Sequence, residues 1–228
     1  MKTRHLTLLI VILAITKTDA YAQRFKPGLV VGVVSTDLVG IDPYDNDFHK
    51  ASLTIGGLLN TKISNNNSIQ FEILYTQKGS LQPADSVNNY TNYKLSLNYI
   101  EVPLMLRHNF KFNMNKKTVD RFYFEVGPSF GRLLSVKQNI NGSIYTDQSN
   151  FLKNEFAVNI GLGCEIVNNL YFNIRFSNSI LSVVEHSPQI KTFNNFFWYT
   201  FNIGDNQVFA FTLRYIFDKD RKHNASQS

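Results

Sequence analysis

Apolar and polar residues alternate with a period of two along most of the chain. The clearest example is Gln207 to Phe217, where every second residue is apolar and the intervening positions include Arg214. Successive side chains of a β-strand point to opposite faces, so this period predicts strands. The apolar row is rich in aromatic residues and the other row holds a charge, which is typical of a strand between lipid and a polar barrel interior.

The same alternation recurs in seven earlier segments that are separated by turn-forming residues. The predicted strands are Phe25–Val34, Ser52–Lys62, Ser68–Lys78, Tyr93–Phe110, Arg121–Leu134, Asn154–Val167, Leu170–Leu181 and Gln207–Phe217. Their connections are alternately long and short, as in outer-membrane barrels. We therefore predict an all-β fold, an eight-stranded antiparallel transmembrane β-barrel with long extracellular loops and short periplasmic turns. A soluble, secreted lipocalin-like barrel is the rival fold, because its strands also alternate.

The fourth predicted strand changes phase along its length. Its apolar residues form two rows of opposite parity, first Leu95, Leu97 and Tyr99, then Ile100, Val102, Leu104 and Leu106. A β-bulge near Tyr99 or Ile100 would reconcile the two rows. Otherwise, the first half of the strand stands above the membrane. The following segment, Phe112 to Asp120, is predicted to be a polar, lysine-rich connection.

The amino terminus has the pattern of a secretory signal. Lys2 and Arg4 precede an apolar run, which ends shortly before the small-residue site Ala20-Tyr21-Ala22. We expect cleavage after Ala22. The predicted organisation is a signal peptide over residues 1–22, an outer-membrane barrel domain over 23–217 and a polar periplasmic tail over 218–228. The expected location is the bacterial outer membrane.

The composition limits which partners the protein can have and which interactions can stabilise its fold. The formal net charge is +6, but no basic run with interleaved aromatics indicates nucleic acid. The single cysteine, Cys164, excludes an intrachain disulfide framework. Stability must therefore come from burial or from a membrane. Lipid of the outer membrane and the barrel-assembly machinery are the expected partners.

The inward rows of the predicted strands carry charges. The predicted lumen charge network is Glu72, Glu125, Glu165, Arg175 and Arg214, with Glu101 and Arg107 expected nearby. Eight strands enclose an interior that side chains fill. An isolated buried charge is costly, so Arg214 is expected to pair with one of the three glutamates of the network. We predict a plugged lumen, and an ion or proton path along these charges is the alternative.

Two polar clusters are candidates for chemistry. One is in the first long loop: Asp42, Asp45, Asp47 and His49. It could offer oxygen ligands to a cation, but the glycine of a calcium loop is missing. The other is Ser182, Glu185, His186 and Ser187. These are the residue types of nucleophilic catalysis, but a triad is assembled from separate segments. We predict no metal, no cofactor and no catalytic residue.

Two aromatic groups are candidates for contacts with lipid or with partners. The last loop contains Phe196, Phe197, Trp198 and Tyr199. They fit an aromatic girdle at the membrane interface, or a contact site for a partner. Tyr215 and Phe217 close the final strand. They are the predicted barrel-assembly signal, although a tail follows Phe217.

Three segments carry a family resemblance. They are Tyr99-Ile100-Glu101-Val102-Pro103-Leu104, Phe124-Glu125-Val126-Gly127-Pro128 and Leu213-Arg214-Tyr215-Ile216-Phe217. With them the mature chain resembles the PorT-type outer-membrane β-barrel family of Bacteroidetes. The resemblance implies an eight-stranded barrel in the outer membrane. It also implies a possible link to protein secretion through the type IX pathway, with secretion-complex proteins as partners.

Three classes of function are compatible with the sequence. The first is a non-enzymatic barrel with a structural, binding or partner-assembly role. The second is a component of a secretion or transport system. The third is a membrane-embedded hydrolase or acyltransferase. The sequence favours the first, because its chemical motifs are sparse and its charges are expected inside the barrel.

Overall fold

A computed structural model describes residues 25–38, 50–84, 86, 89–114, 117–185, 192–193, 200–201 and 204–218. Eight strands form the barrel: β1 (Phe25–Leu38), β2 (Lys50–Lys62), β3 (Asn67–Lys78), β4 (Tyr93–Met114), β5 (Lys117–Ile140), β6 (Asn154–Val167), β7 (Leu170–Ser179) and β8 (Asn206–Ile216). Four short strands lie outside the ring: Leu81–Gln82, Ser143–Tyr145, Thr192–Phe193 and Thr200–Phe201.

The eight strands pair antiparallel with their neighbours in chain order, and β8 closes the ring on β1. The closing seam runs from Gly28 opposite Ile216 to Leu38 opposite Asn206. A closed ring leaves no free barrel edge, so the backbone donors and acceptors of the ring pair within it. The predicted eight-stranded antiparallel barrel is confirmed.

The connections place long loops at one end of the barrel and short turns at the other. Residues 39–49, 79–92, 141–153 and 180–205 separate the ring strands at one end, and residues 63–66, 115–116 and 168–169 separate them at the other. We call these the loop end and the turn end. The two-residue turn Asn168-Asn169 joins β6 and β7, with Asn169 at a φ of 69°.

One predicted connection is wrong. Phe112 to Asp120 is largely strand, because β4 and β5 continue pairing through Phe112 opposite Val119 and Met114 opposite Lys117. The strand ends were predicted from the alternation of apolar side chains. The hydrogen bonds between paired strands join backbone groups, so the pairing can continue beyond the point where that alternation stops. The turn between these strands is therefore much shorter than the sequence suggested.

The outer surface of the barrel is an apolar belt. Outward apolar side chains are exposed on every strand of the ring; Leu29, Ile55 and Ile73, for example, are each more than half exposed. On β5 the belt extends from Phe122 to Phe130, and the eight steps between these residues correspond to about 20 Å of height after strand tilt. This belt is the surface expected of a barrel in lipid. Among the described residues, no helix has the length and apolar character to cross a membrane.

The phase change of the fourth predicted strand has a structural explanation. Leu95, Leu97 and Tyr99 are fully buried inside the barrel, whereas Leu104 and Leu106 face outward. The strand therefore keeps one phase, and its interior changes from apolar near the loop end to polar below. A register shift does occur opposite Asn98 and Tyr99, but β5 carries the extra residue, Leu134. The predicted bulge lies on the neighbouring strand.

The carboxyl end of β8 is fixed at the turn end of the closing seam. Phe217 N donates to Pro27 O at 2.8 Å, which extends the pairing with β1 beyond Ile216. The rings of Tyr215 and Phe217 face outward, with centroids 5.2 Å apart in an edge contact. Next to them, Lys26 and Asp218 form an ion pair at 2.5 Å. The two aromatics thus lie at the lower rim of the belt.

We expect Phe217→Ala to reduce the fraction of protein that is assembled in the membrane by several-fold, because the change removes the aromatic that ends the closing strand. Heat-modifiable gel migration of membrane fractions measures the assembled fraction. Phe211→Ala is the matched control, since Phe211 is an outward aromatic in the middle of the same strand. Equal assembly of the two variants would contradict a signal role for Phe217.

Candidate functional site

The barrel interior is organised around a guanidinium that lies between two carboxylates. Arg175 on β7 donates to Glu72 on β3 through Nη1 and Nη2, both at 2.8 Å. The same side chain donates to Glu125 Oε1 through Nε at 2.9 Å and Nη2 at 2.7 Å. Both carboxylates are fully buried. Paired bonds of this kind are the strongest geometry for a guanidinium and a carboxylate.

A second arginine completes the group. Arg214 on β8 donates to both oxygens of Glu125, through Nη1 at 2.8 Å and Nη2 at 3.1 Å. Its Nη2 also donates to Asn173 Oδ1 at 2.7 Å. Two arginines therefore face two glutamates, and the formal charges of the four side chains cancel. We call Glu72, Glu125, Arg175 and Arg214 the central network.

The network continues toward the turn end. Gln70 Nε2 donates to Glu72 Oε1 at 2.6 Å, and Gln70 Oε1 accepts from Arg107 Nη1 at 2.7 Å. The guanidinium of Arg107 lies 3.6 Å from the ring centroid of Tyr123 and 5.3 Å from that of Tyr171. Aromatic faces attract a cation in this geometry. Toward the turn end, the lumen thus holds a buried arginine between aromatic rings.

A second charged layer lies closer to the loop end. Lys78 Nζ lies 2.6 Å from Glu101 Oε1 and 2.9 Å from Glu155 Oε2. Lys50 Nζ donates to the carbonyl of Lys78 at 2.5 Å and to Ser52 Oγ at 3.0 Å. Two lysines and two glutamates again give a formal sum of zero. We call Lys50, Lys78, Glu101 and Glu155 the upper layer.

Apolar side chains close the lumen above the upper layer. This mouth cluster comprises Leu38, Leu95, Leu97, Tyr99, Leu133, Val136, Phe151 and Val183, all buried. Two loop segments supply its last members and bond across the mouth. Leu152 N donates to Val183 O at 2.8 Å, and Val183 N donates to Gly204 O at 2.9 Å. The loops therefore fold over the barrel and cover it.

A small cavity of about 30 Å³ separates the two charged layers. Its lining includes Glu72, Arg175 and Arg214 from the central network and Lys78 and Glu101 from the upper layer. This volume is of the order that one or two water molecules occupy. It is too small for a substrate of ordinary size, since ligand pockets measure about 300–1,000 Å³.

The structure brings four of the five predicted lumen charges together in the central network. Arg214 pairs with Glu125. Glu165 lies elsewhere: it is half-buried near the β6–β7 turn, where its Oε1 accepts from Asn169 N at 3.0 Å. Gly161, the residue of β6 that pairs with both Glu125 and Arg175, is four positions away. Glu165 therefore supports the turn.

Sequence reasoning missed most of the upper layer. Lys78 has the same parity as Glu72 on β3, and Glu155 has the same parity as Glu165 on β6. The alternation could therefore have placed both inside. They lie near the ends of their predicted strands, where an inward direction is hard to distinguish from a loop. The pairing of Lys78 with both glutamates joins three strands and could not be read from spacing.

Of the other predicted groups, some residues belong to the part of the chain that the structure describes and the others do not. Ser182 Oγ bonds only locally, donating to Val184 O and accepting from Val184 N, both at 3.1 Å. This geometry stabilises a turn. Several predicted groups lie outside the described residues: His186, Ser187, the acidic group from Asp42 to His49, the aromatics Phe196 to Tyr199, the predicted signal peptide over residues 1–22, and residues 219–228.

We expect Arg175→Met to lower the free energy of unfolding by about 3–5 kcal/mol, because it leaves two buried carboxylates with one arginine. Urea unfolding in detergent micelles, followed by gel mobility, measures the loss. Arg121→Met is the control, since Arg121 is exposed on the same barrel. Arg175→Met combined with Glu72→Gln restores neutrality and should recover part of the loss. A single variant as stable as the control would show that the central network is dispensable for stability.

Comparison with known proteins agrees with this architecture. The sequence matches the model of the outer membrane protein beta-barrel domain family over residues 21–185. No curated protein matches it. Similar solved structures include Ail, the attachment invasion locus protein of Yersinia pestis (15% identity, 84% of this chain and 98% of that chain, TM-score 0.44). Neisserial surface protein A is also similar (10% identity, 84% and 96%, TM-score 0.43).

The outer membrane protein AlkL is a third similar structure, with 14% identity, coverage of 89% of this chain and 94% of that chain, and a TM-score of 0.37. The family match covers most of the chain, and the closed ring with its apolar belt is the fold expected of such a protein. The chain therefore belongs to the outer membrane protein β-barrel domain family and is a small outer-membrane barrel.

Proposed function

We propose that this protein is a non-enzymatic, non-conducting outer-membrane barrel that acts through its outer surfaces and loops, in a structural, binding or partner-assembly role. The central network supports this proposal most directly. It joins β3, β5, β7 and β8 across the lumen, and its charges are paired with one another. Side chains that are committed to each other in this way are poorly placed to bind a passing solute.

The mouth cluster supports the same proposal from the other end of the lumen. An ion that entered from outside would have to displace buried leucines and Val183, and then separate the ion pairs of Lys78. Each step exposes a charge to an apolar environment or breaks a buried pair, which is expensive. The cavity between the two charged layers, about 30 Å³, is also far smaller than a substrate pocket, which favours a non-enzymatic role over a hydrolase or acyltransferase.

We expect the purified barrel to show no steady conductance in planar bilayers. Insertion must be verified in the same samples by protease protection, so that absence of current is not absence of protein. A sixteen-stranded porin in the same lipid is the positive control, because porins of that size leave an aqueous channel. A large and steady conductance would contradict a plugged lumen and would favour the transport alternative.

A role in protein secretion is the second candidate. It is supported by the resemblance to the PorT-type family, in particular by the segment Tyr99 to Leu104. In this structure the segment serves the barrel itself: Tyr99 belongs to the mouth cluster and Glu101 to the upper layer. Under this proposal the chain is exported by a cleaved signal peptide over residues 1–22, inserted by the assembly machinery and then bound by secretion-complex proteins.

We expect a secretion component to retain partners when the native membrane is solubilised in mild detergent after chemical crosslinking. Affinity purification of the tagged barrel with mass spectrometry would then recover the same envelope proteins repeatedly. A second small barrel expressed at the same level is the control for nonspecific capture. Recovery of the barrel alone would contradict a role as a secretion component and would favour a barrel that acts without a partner complex.

A further inference from the structure

Basic side chains on the outside of the barrel are gathered on one flank at the loop end. Arg132 and Lys137 are exposed on β5, and Lys153 is exposed immediately before β6. We call these three residues the basic flank. On β1, β2, β3, β7 and β8, the described outward positions at this height are uncharged: Ser35, Ala51, Leu53, Gln77, Phe176 and Phe209. On β4, Lys94 is also exposed, opposite Asn139 and just above the level of Lys137. The positive charge is therefore localised on the side formed by β4, β5 and the start of β6.

The register sets the height of the flank relative to the belt. Phe130 pairs with Phe156, and their outward rings lie 5.2 Å apart, centroid to centroid. Arg132 pairs with Asn154, two residues further toward the loop end on both strands, which is about 7 Å along the strand. The guanidinium thus lies just above the last aromatic pair of the apolar belt.

Asn154 accepts one hydrogen bond from the Arg132 side chain and leaves the other N–H groups of that guanidinium available. Its Nη1 donates to Asn154 Oδ1 at 2.5 Å, and a guanidinium has five N–H groups. Lys153 is held at the same level, because its carbonyl accepts from Leu133 N at 2.8 Å. Lys137 lies further up, opposite Ser96, with a long side chain that can reach down toward the headgroups.

Few acids oppose this charge. Among the described residues at the loop end, the outward faces of β4, β5 and β6 carry none. The exposed Glu185 lies nearby in the last loop, where its N donates to Asn150 O at 2.9 Å. Asp147, in the loop that joins β5 and β6, is bonded within that loop: its oxygens accept from Ser149 N at 2.9 Å and from Ser149 Oγ at 3.0 Å. The arrangement therefore combines an apolar wall, a localised positive charge above it and a planar donor that suits phosphate.

We propose that the basic flank binds the phosphate-bearing headgroup of an outer-leaflet lipid. Its phosphate lies between Arg132 and Lys153, and its acyl chains lie along Phe130 and Phe156. Arg132 provides paired N–H donors to two phosphate oxygens, and Lys137 adds a weaker attraction from above. The lipid is recognised by charge and by height in the membrane, so the site is shallow and needs no cavity. This inference does not depend on whether the lumen conducts.

The test is native mass spectrometry of the barrel released from micelles that contain bis-phosphorylated lipid A. The wild-type barrel is expected to carry one preferred lipid adduct. Arg132→Gln combined with Lys153→Gln should weaken that adduct about 30-fold, since each basic residue near a membrane surface contributes roughly a fivefold effect. Lys137→Gln alone should weaken it less than the double variant does.

The matched control combines Arg121→Gln with Lys62→Gln, which removes one exposed arginine and one exposed lysine from the turn end. This variant should keep the adduct. Each variant must first show the heat-modifiable migration of a folded barrel. Equal loss in control and flank variants, or no loss in the flank variant, would overturn the proposal.

Two further arms identify the group that is recognised. Lipid A from which both phosphates have been removed should give no preferred adduct, and equal binding of that lipid would overturn the role of phosphate. Inorganic phosphate at millimolar concentration should leave the lipid adduct in place. If inorganic phosphate alone formed the adduct or displaced the lipid, the flank would be an anion site and the lipid assignment would be wrong.

Discussion

Two glutamates and two arginines lie together inside a ring that is only wide enough for side chains, and each pair is stable only because the other is present. Removing Arg175 would leave Glu72 and Glu125 with one arginine in an environment that hardly solvates them. The four residues come from β3, β5, β7 and β8, so their pairing requires the ring to be closed in the correct register. A slip of one residue would turn each charge toward lipid.

The same requirement explains how the interior is layered. A neutral central network and a neutral upper layer can stack with a small cavity between them, because neither leaves a formal charge for the other to compensate. Above them, apolar side chains from the barrel wall and from two loops form the mouth cluster. The polar groups are thus enclosed between lipid on the sides and leucines on top, and that enclosure makes their mutual pairing strong and their exchange with a solute unfavourable.

Alternation alone predicted which rows face inward, because lipid selects apolar side chains as strictly as a core does and charged side chains are tolerated only on the side where polar partners or aromatic rings can contact them. Prediction from alternation failed in the segments where neither lipid nor the barrel interior selects the side chains. Beyond the membrane, β4 and β5 continue as paired backbone without an alternating pattern, so Phe112 to Asp120 looked like a loop. Glu165 has the parity of a lumen residue, but it lies so near a turn that it accepts a hydrogen bond from the backbone N–H of Asn169. Lys78 and Glu155 contact each other only because the barrel is closed, and the spacing of residues along the sequence does not predict such contacts.

A barrel whose interior is used for its own stability has only its outer wall and loops left for interactions. The outer wall is uniform in most directions, since lipid imposes the same apolar requirement on every strand. An asymmetry there, such as the basic flank above Phe130 and Phe156, is not required by insertion. It has a cost too, because clustered like charges repel one another. A phosphate at that height would neutralise them, so the same residues that are unfavourable in isolation become favourable in a phosphorylated outer leaflet.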